Sequence, residues 1–313
     1  MQPTQKGTFC YRLWNEAFID KDGSVFSCCR YKPVVLGNIY KNKLEDIYNN
    51  EIIQELRQKS LDGKLECFEN CILLNKAKLG KPKKTVTINY ATDLKRLKIL
   101  FGGACNISCI MCWQDHKDKS SLDVTKLIEN VDIKHFQDIE LQGGETLLIP
   151  AAKSFFDHAS SKGKKVSFLT NGLPINDEWA EKIARHSSFL YISINAATKE
   201  THELVNRGSR WELVLKSIQK IREAREKYCT DVKIKGHMTI VVENLNEIPL
   251  FIKTFRQLGF DEIDFGFDKK VPVYLRLYPF KKLRLKLQIR KAIRTSEYYR
   301  FMDLLALKNL SLM

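Results

Sequence analysis

The 313-residue chain predicts an α/β fold: an open, partial (β/α)6 barrel preceded by a small cysteine-rich domain. Three observations carry that expectation. Six short runs rich in Ile, Val, Phe and Tyr recur between residues 96 and 267, with helical patterns between them. Strand–helix alternation of this kind builds a parallel sheet with right-handed crossovers. Six units are too few for a closed eight-fold barrel. The first 80 residues break the pattern, being irregular and rich in cysteine.

Taken in order, the expected domains are 1–80, a linker at 81–95, the barrel at 96–270 and a basic extension at 271–313. "FIDKDGSVFSCC" reads as a hairpin turning at Asp22-Gly23. "KLEDIYNNEIIQELRQKSLDG" spaces Leu44, Ile47, Tyr48, Ile52, Ile53 and Leu56 for one or two short helices, stopped by Gly63. "GKPKKTVTINYATD" is polar and basic, as a linker is. The strands follow as "RLKILF" (96–101), "DIELQ" (138–142), "KVSFLT" (165–170), "FLYISIN" (189–195), "VKIKGHMTIVV" (232–242) and "EIDFGF" (262–267). "NDEWAEKIARH" opens with Asn176 as helix N-cap and acids in its first turn. "WELVLKSIQKIREAREKY" puts Leu213, Leu215, Ile218 and Ile221 on one apolar face. Beyond 270, "LRLKLQI" (283–289) alternates like a strand, and residues 292–310 read as a helix.

Composition bounds the function. An apolar share of 44% suits a chain that buries a core. No stretch nears the roughly 20 apolar residues of a membrane span, and "MQPTQKGTFCYRLW" lacks the basic-then-apolar start of a signal peptide. A cytoplasmic location with no membrane partner is the expectation, and there thiols stay reduced. Nine cysteines in that setting point to metal or redox chemistry. Cys229, apart from the others, is expected to be a small buried apolar residue. The net charge of +15 concentrates between Lys269 and Ser296, where ten Lys or Arg meet no Asp or Glu. RNA or an acidic partner would suit that run, and so would a solvated lysine-rich surface.

In partial barrels functional groups sit in loops after the strands. Cys105, Cys109 and Cys112 follow the first strand at a C-x3-C-x2-C spacing; "GGET" (143–146) follows the second, "TNG" (170–172) the third and "SIN" (193–195) the fourth. Soft thiolates select zinc, copper(I) or iron–sulfur clusters. Three of them can hold three irons of a [4Fe–4S] cubane and leave the fourth for a small molecule. A zinc ion completed by His116 is the alternative.

This ordered set of motifs over residues 96–270 resembles the radical S-adenosylmethionine (SAM) superfamily. The resemblance implies a [4Fe–4S] cluster on Cys105, Cys109 and Cys112, with SAM chelating the open iron. It implies SAM contacts from Gly143, Gly144, Glu145, Ser193, Asn195 and Arg207. It implies an enzyme that cleaves SAM reductively to a 5′-deoxyadenosyl radical, which abstracts hydrogen from a peptide, protein or small-metabolite substrate. A reductase such as flavodoxin or ferredoxin is the implied partner. The chain departs from the family at Thr146, where proline is usual, and at Met111, where an aromatic is usual. Residues 8–75 resemble the SPASM/twitch auxiliary-cluster module, here placed before the barrel. That implies a second [4Fe–4S] cluster on Cys10, Cys28, Cys67 and Cys71, with Cys29 able to replace a neighbour. Four cysteine ligands would leave no iron open, so this cluster would carry electrons. A four-cysteine zinc knuckle is the alternative. A radical SAM enzyme modifying RNA, and a non-catalytic zinc or iron–sulfur protein, are the competing readings of function.

Overall fold

The computed structural model describes residues 5–28, 34–67, 85–115, 118 and 120–313. In chain order the strands are β1 (Gln5–Thr8), β2 (Glu16–Ile19), β3 (Ser24–Phe26), β4 (Gly37–Asn38), β5 (Leu65–Cys67), β6 (Arg96–Leu100), β7 (Ser108–Cys109), β8 (Asp138–Gln142), β9 (Val166–Thr170), β10 (Ser187–Ser193), β11 (Asn206–Arg207), β12 (Lys233–Ile240), β13 (Glu262–Phe267) and β14 (Met302–Asp303). The helices are α1 (Arg12–Asn15), α2 (Leu44–Ile47), α3 (Glu51–Leu61), α4 (Tyr90–Asp93), α5 (Val124–Asn130), α6 (Pro150–Ser161), α7 (Asp177–His186), α8 (Lys199–Val205), α9 (Trp211–Lys227), α10 (Ile248–Thr254), α11 (Lys270–Leu277), α12 (Pro279–Arg294) and α13 (Leu305–Asn309). All six expected barrel strands form, within two residues of their expected ends. The chain divides into two compact units, Met1–Gly103 with Lys117–Val166, and Ala104–His116 with Ser167–Met313.

In the first unit the strand order is β8-β6-β2-β3-β4. β6 pairs in parallel with both β8 and β2, and β2-β3-β4 is an antiparallel meander. Gly23, at φ +80°, turns the β2–β3 hairpin where Asp22-Gly23 foretold it. The cysteine-rich segment is therefore joined to β6 by strand pairing and shares its unit, rather than closing at residue 80. The expected linker is packed where it is described. Thr85 O accepts from Trp14 Nε1 at 2.8 Å, and α4 forms at its end. α3 begins at Asn50, whose side chain accepts from Ile53 N, and ends before Gly63. The core of this segment holds a buried charge. Arg57 donates to the carbonyls of Leu13 (2.9 Å), Val86 (2.9 Å) and Tyr48 (3.0 Å). Burial pulls its pKa down to about 10, so it stays cationic at neutral pH.

In the second unit the order is β14-β13-β12-β10-β9, and the pairings β10–β12, β12–β13 and β13–β14 are parallel. Period-two alternation explains β12: Ile234, Gly236, Met238 and Ile240 are buried, while Lys235, His237 and Thr239 are half-buried on the other face. α7 begins at Asn176, which accepts from Trp179 N at 2.9 Å, as expected.

Four expectations are corrected here. Residues 283–289 belong to α12, not to a strand. Pro279 starts the helix, and Leu285, Ile289 and Ala292 recur at helical spacing on its buried face. Residues 292–310 are not one helix: α12 stops at Arg294, and Met302 then pairs with Ile263 of β13. On α9 the buried face runs through Val214, Ser217, Ile218 and Ile221, with Leu213 exposed. Cys229 is exposed, at φ +50° just past α9, where its side chain cannot reach a core.

Candidate metal and cofactor site

In the second unit, the three cysteines of the 105–112 loop are held by short pieces of structure. β7 pairs antiparallel with β11, setting Cys109 opposite Asn206 and Ser108 opposite Arg207. Ile110 N donates to Val205 O at 3.0 Å, and Cys112 N to Cys109 O at 3.1 Å. The Cys109 thiol lies 3.5 Å from Asn206 Oδ1. Asn171, from the third-strand loop, reaches Cys105 Sγ at 3.9 Å and Asn106 Oδ1 at 2.7 Å. Cys109 is half-buried; Cys112 is exposed. Burial, then the neighbouring Cys112 and Cys105, push the Cys109 thiol up to about 12. Three thiols close enough to oppose one another's ionisation suit a shared cationic group, which deprotonates its ligands outright. Among the described residues no three His, Cys, Asp or Glu side chains converge as a single ion requires. A cubane, whose irons occupy separate corners, asks instead for thiols arranged around it. His116, the candidate fourth zinc ligand, lies outside the described residues.

The fourth-strand residues are bound into one network. Asn195 is buried with φ +55°. Its Oδ1 accepts from Thr239 N (2.7 Å), its Nδ2 donates to Asn206 Oδ1 (2.8 Å) and its carbonyl accepts from Asn244 Nδ2 (2.8 Å). The side chain expected to turn to SAM thus organises the loop. Asn206 also donates to Ser193 O at 3.0 Å. Ser193 is half-buried at the end of β10, and Arg207 is exposed beside Ser108. Asn206 and Asn171 were missed as site residues. The only sequence signal was their place in "LVNRGS" and "TNG", next to motifs already singled out.

His202 props the same loop from beneath. It is fully buried, with Nδ1 2.6 Å from Ile194 O and Nε2 2.8 Å from Ser209 Oγ. A carbonyl can only accept, so Nδ1 carries the proton and Nε2 accepts from the serine. Burial lowers the pKa, holding the ring neutral. The sign follows: the unfolded imidazole protonates near 6.5, and burial shifts protonation of the folded one to lower pH. Stability is therefore present above pH 6.5 and falls as pH drops below it. Melting temperature measured from pH 8 to pH 5 should decline below about 6.5. His202→Gln, which cannot titrate, should make that decline shallower, the remainder coming from His135 and His158, whose pKa values burial also lowers.

The polar face of β10, β12 and β13 stacks in register. Tyr191 lies beside Lys235 and Glu262, and Ser193 beside His237 and Asp264. His237 Nδ1 is 2.9 Å from Asp264 Oδ1, and Nε2 is 3.1 Å from Thr239 Oγ1. An open cavity of about 380 Å³ is lined here by Tyr191, Lys235, Glu262, Asp264, Arg300 and Asp303.

In the first unit, the Gly-Gly-Glu turn follows β8. Gly144 N donates to Gly102 O at 3.0 Å. A Cβ on Gly143 would meet Ile149 Cδ1 at 2.5 Å, so only glycine fits without displacing that buried side chain. Glu145 is fully buried and accepts from Leu147 N at 3.1 Å. Of the N-terminal cysteines, Cys10 and Cys28 are half-buried, and Cys10 N donates to Ser60 Oγ at 2.8 Å. Both raise the pKa of the buried Tyr48 phenol, after burial itself and Glu16, so both lie near it. Cys67 ends β5, opposite Gln5 of β1. Cys29 and Cys71 lie outside the described residues.

Asn206→Ala removes the acceptor at Cys109 and the tie to Ser193. Groups that orient a metal ligand are worth about 10–100-fold in affinity or activity when lost. Iron retention during gel filtration and the initial rate of SAM cleavage should both fall within that range.

Comparison with known proteins agrees with this picture. The family model described as "Radical SAM superfamily" matches residues 99–255, half of the chain. One described as "Iron-sulfur cluster-binding domain", the SPASM model, matches residues 10–72. Mycofactocin maturase MftC of Mycolicibacterium smegmatis is 23% identical over 162 residues, 50% of this chain and 40% of that protein. The AdoMet-dependent heme synthase of Methanosarcina barkeri is 29% identical over 167 residues, 50% of this chain and 45% of that protein. The matches thus span less than half the length of either relative. The structure of Streptococcus suis SuiB with its precursor peptide SuiA aligns at TM-score 0.47 and 13% identity, over 92% of this chain and 70% of SuiB. Among the described residues no helix is long and apolar enough to cross a membrane. The match over half the chain, spanning the cysteine loop and the strands around it, shows that the chain belongs to the radical SAM superfamily, whose domain carries a [4Fe–4S] cluster and SAM.

Proposed function

We propose that the chain is a SPASM/twitch-type radical SAM enzyme that abstracts hydrogen from a peptide, a protein side chain or a small metabolite. Cys105, Cys109 and Cys112 hold the cluster; Gly143, Gly144 and Glu145 approach SAM, as do Ser193 and Arg207, with Asn195 fixing the loop that carries these last two. Cys10, Cys28, Cys67 and Cys71 hold the auxiliary cluster. A reduced cluster held by Cys105, Cys109 and Cys112 would supply the electron for reductive cleavage of SAM, the chemistry by which the family takes hydrogen from a substrate. A flavodoxin- or ferredoxin-type reductase supplies that electron. The relatives named for mycofactocin maturation and for subtilosin biosynthesis favour a peptide substrate.

One observation supports the reading most: a hydrogen-bonded path within one unit from the cysteine loop to the polar strand face. It runs from Cys109 through Asn206, Asn195 and Thr239 to His237 and Asp264. The path fixes the cysteine loop against strands that also line the cavity. Asp264, held by His237, presents a carboxylate there, and Lys235, Arg300 and Asp303 present charge to an ionised substrate. The protein's part is positioning and exclusion of water, since the cofactors carry the difficult step. Anaerobic reconstitution with iron and sulfide, then SAM and dithionite, tests the reading. 5′-Deoxyadenosine in the product is expected; protein that holds zinc and forms none would sink it.

A further inference from the structure

The ridge formed by α11 and α12 serves nothing described so far. α12 buries Leu285, Ile289 and Ala292, and packs on α10. Its opposite side carries Phe280, Leu283 and Leu287 at helical spacing, 87%, 55% and 57% exposed. Leu277, 69% exposed, continues the crest from α11. Cations border it on both sides, with Arg284 and Lys291 along one flank and Lys286 and Arg290 along the other. Among the described residues none of the ten Lys and Arg of 269–296 makes an ion pair.

An exposed apolar crest of this size marks a contact surface, and its chemistry narrows the occupant. RNA would satisfy the cations and leave Phe280 and the leucines in water. A second copy of the ridge would set ten like charges against ten. An anionic lipid surface meets both needs: an apolar layer below and a sheet of negative headgroups around it. We propose that the α11–α12 ridge lies on anionic membrane surfaces. Phe280, Leu283 and Leu287 enter the acyl boundary, and the flanking Arg and Lys reach lipid phosphates. The expectation of no membrane partner came from the lack of a spanning segment, and a helix lying in the interface needs none.

Sedimentation of the full chain with vesicles tests this. Binding is expected to vesicles of phosphatidylcholine with phosphatidylglycerol and not to phosphatidylcholine alone. It should weaken between about 50 and about 300 mM salt. The variant F280S/L283S/L287S keeps every charge and the packed face. It should lose about tenfold or more of the vesicle partition while leaving SAM cleavage unchanged. Three results overturn the proposal: no binding to either vesicle, triple-variant binding equal to that of the parent, or binding of RNA or of an acidic protein such as flavodoxin in place of vesicles. The result is separable from the enzymatic reading, since vesicle binding needs no cofactor.

Discussion

On the proposed ligand assignment, Cys109→Ala is expected to abolish 5′-deoxyadenosine formation, to the level of protein without iron, and to remove about four irons per chain. The fold holds this thiol from two sides. β7 holds its backbone against β11, and Asn206 holds its sulfur. Its burial pushes the free thiol's pKa up to about 12, so Cys109 itself would become a thiolate on taking up the metal, with release of a proton. Removing the central ligand leaves Cys105 and Cys112 to grip two corners of a cubane from a loop end that is exposed at Cys112. Iron and acid-labile sulfide per chain, the broad visible absorbance of the reconstituted protein, and deoxyadenosine by chromatography are the readouts. Cys229→Ala, at an exposed position past α9, should leave all three unchanged. A Cys109→Ala protein that still cleaves SAM would remove the ligand assignment.

Arg57→Leu is expected to be the most damaging substitution to stability. The guanidinium is fully buried and satisfies three backbone carbonyls from three separate segments. Leucine removes the charge and strands those acceptors. Each buried unpaired group costs about 1–3 kcal/mol, so a loss on the order of 4 kcal/mol follows. For a domain of this size that is roughly 8–16 °C in melting temperature. Arg57→Lys should recover only part, because one ammonium cannot span three carbonyls as the planar fork does. Gln58→Ala, exposed on the next position of α3, should change stability by about 0.5 kcal/mol or less. Arg57→Leu melting within that same margin would show that water or relaxed backbone replaces the lost donors.

The barrel strands were legible because each is a local pattern. β8 and β13 match "DIELQ" and "EIDFGF" residue for residue, since alternating burial needs no knowledge of the partner strand. The ordered loop motifs were legible for the same reason. What escaped depends on contacts distant in sequence. The Cys109–Asn206 contact joins residues 97 apart, and an asparagine before Arg-Gly reads as ordinary turn chemistry. The parallel pairing of β2 with β6 escaped too, because a hairpin announces its own turn but not the strand on its far side. "LRLKLQI" failed differently. Leucines two apart fit a strand, yet a helix places Leu285 inside and Leu283 and Leu287 outside with Arg, Lys and Gln as strong helix formers. The outward leucines mimicked a period of two because the exposed side of α12 is itself apolar there.

Arg207 rides on the same two-residue ladder as Cys109. On the proposed assignment, the iron corner and the sulfonium donor therefore share one splint. Linkage makes their coupling mutual: whatever factor the loaded metal adds to the affinity for the donor, the donor returns as the same factor in affinity for the metal. Where the donor is scarce, the same loop would then hold its metal more weakly, so occupancy by the one would raise occupancy by the other.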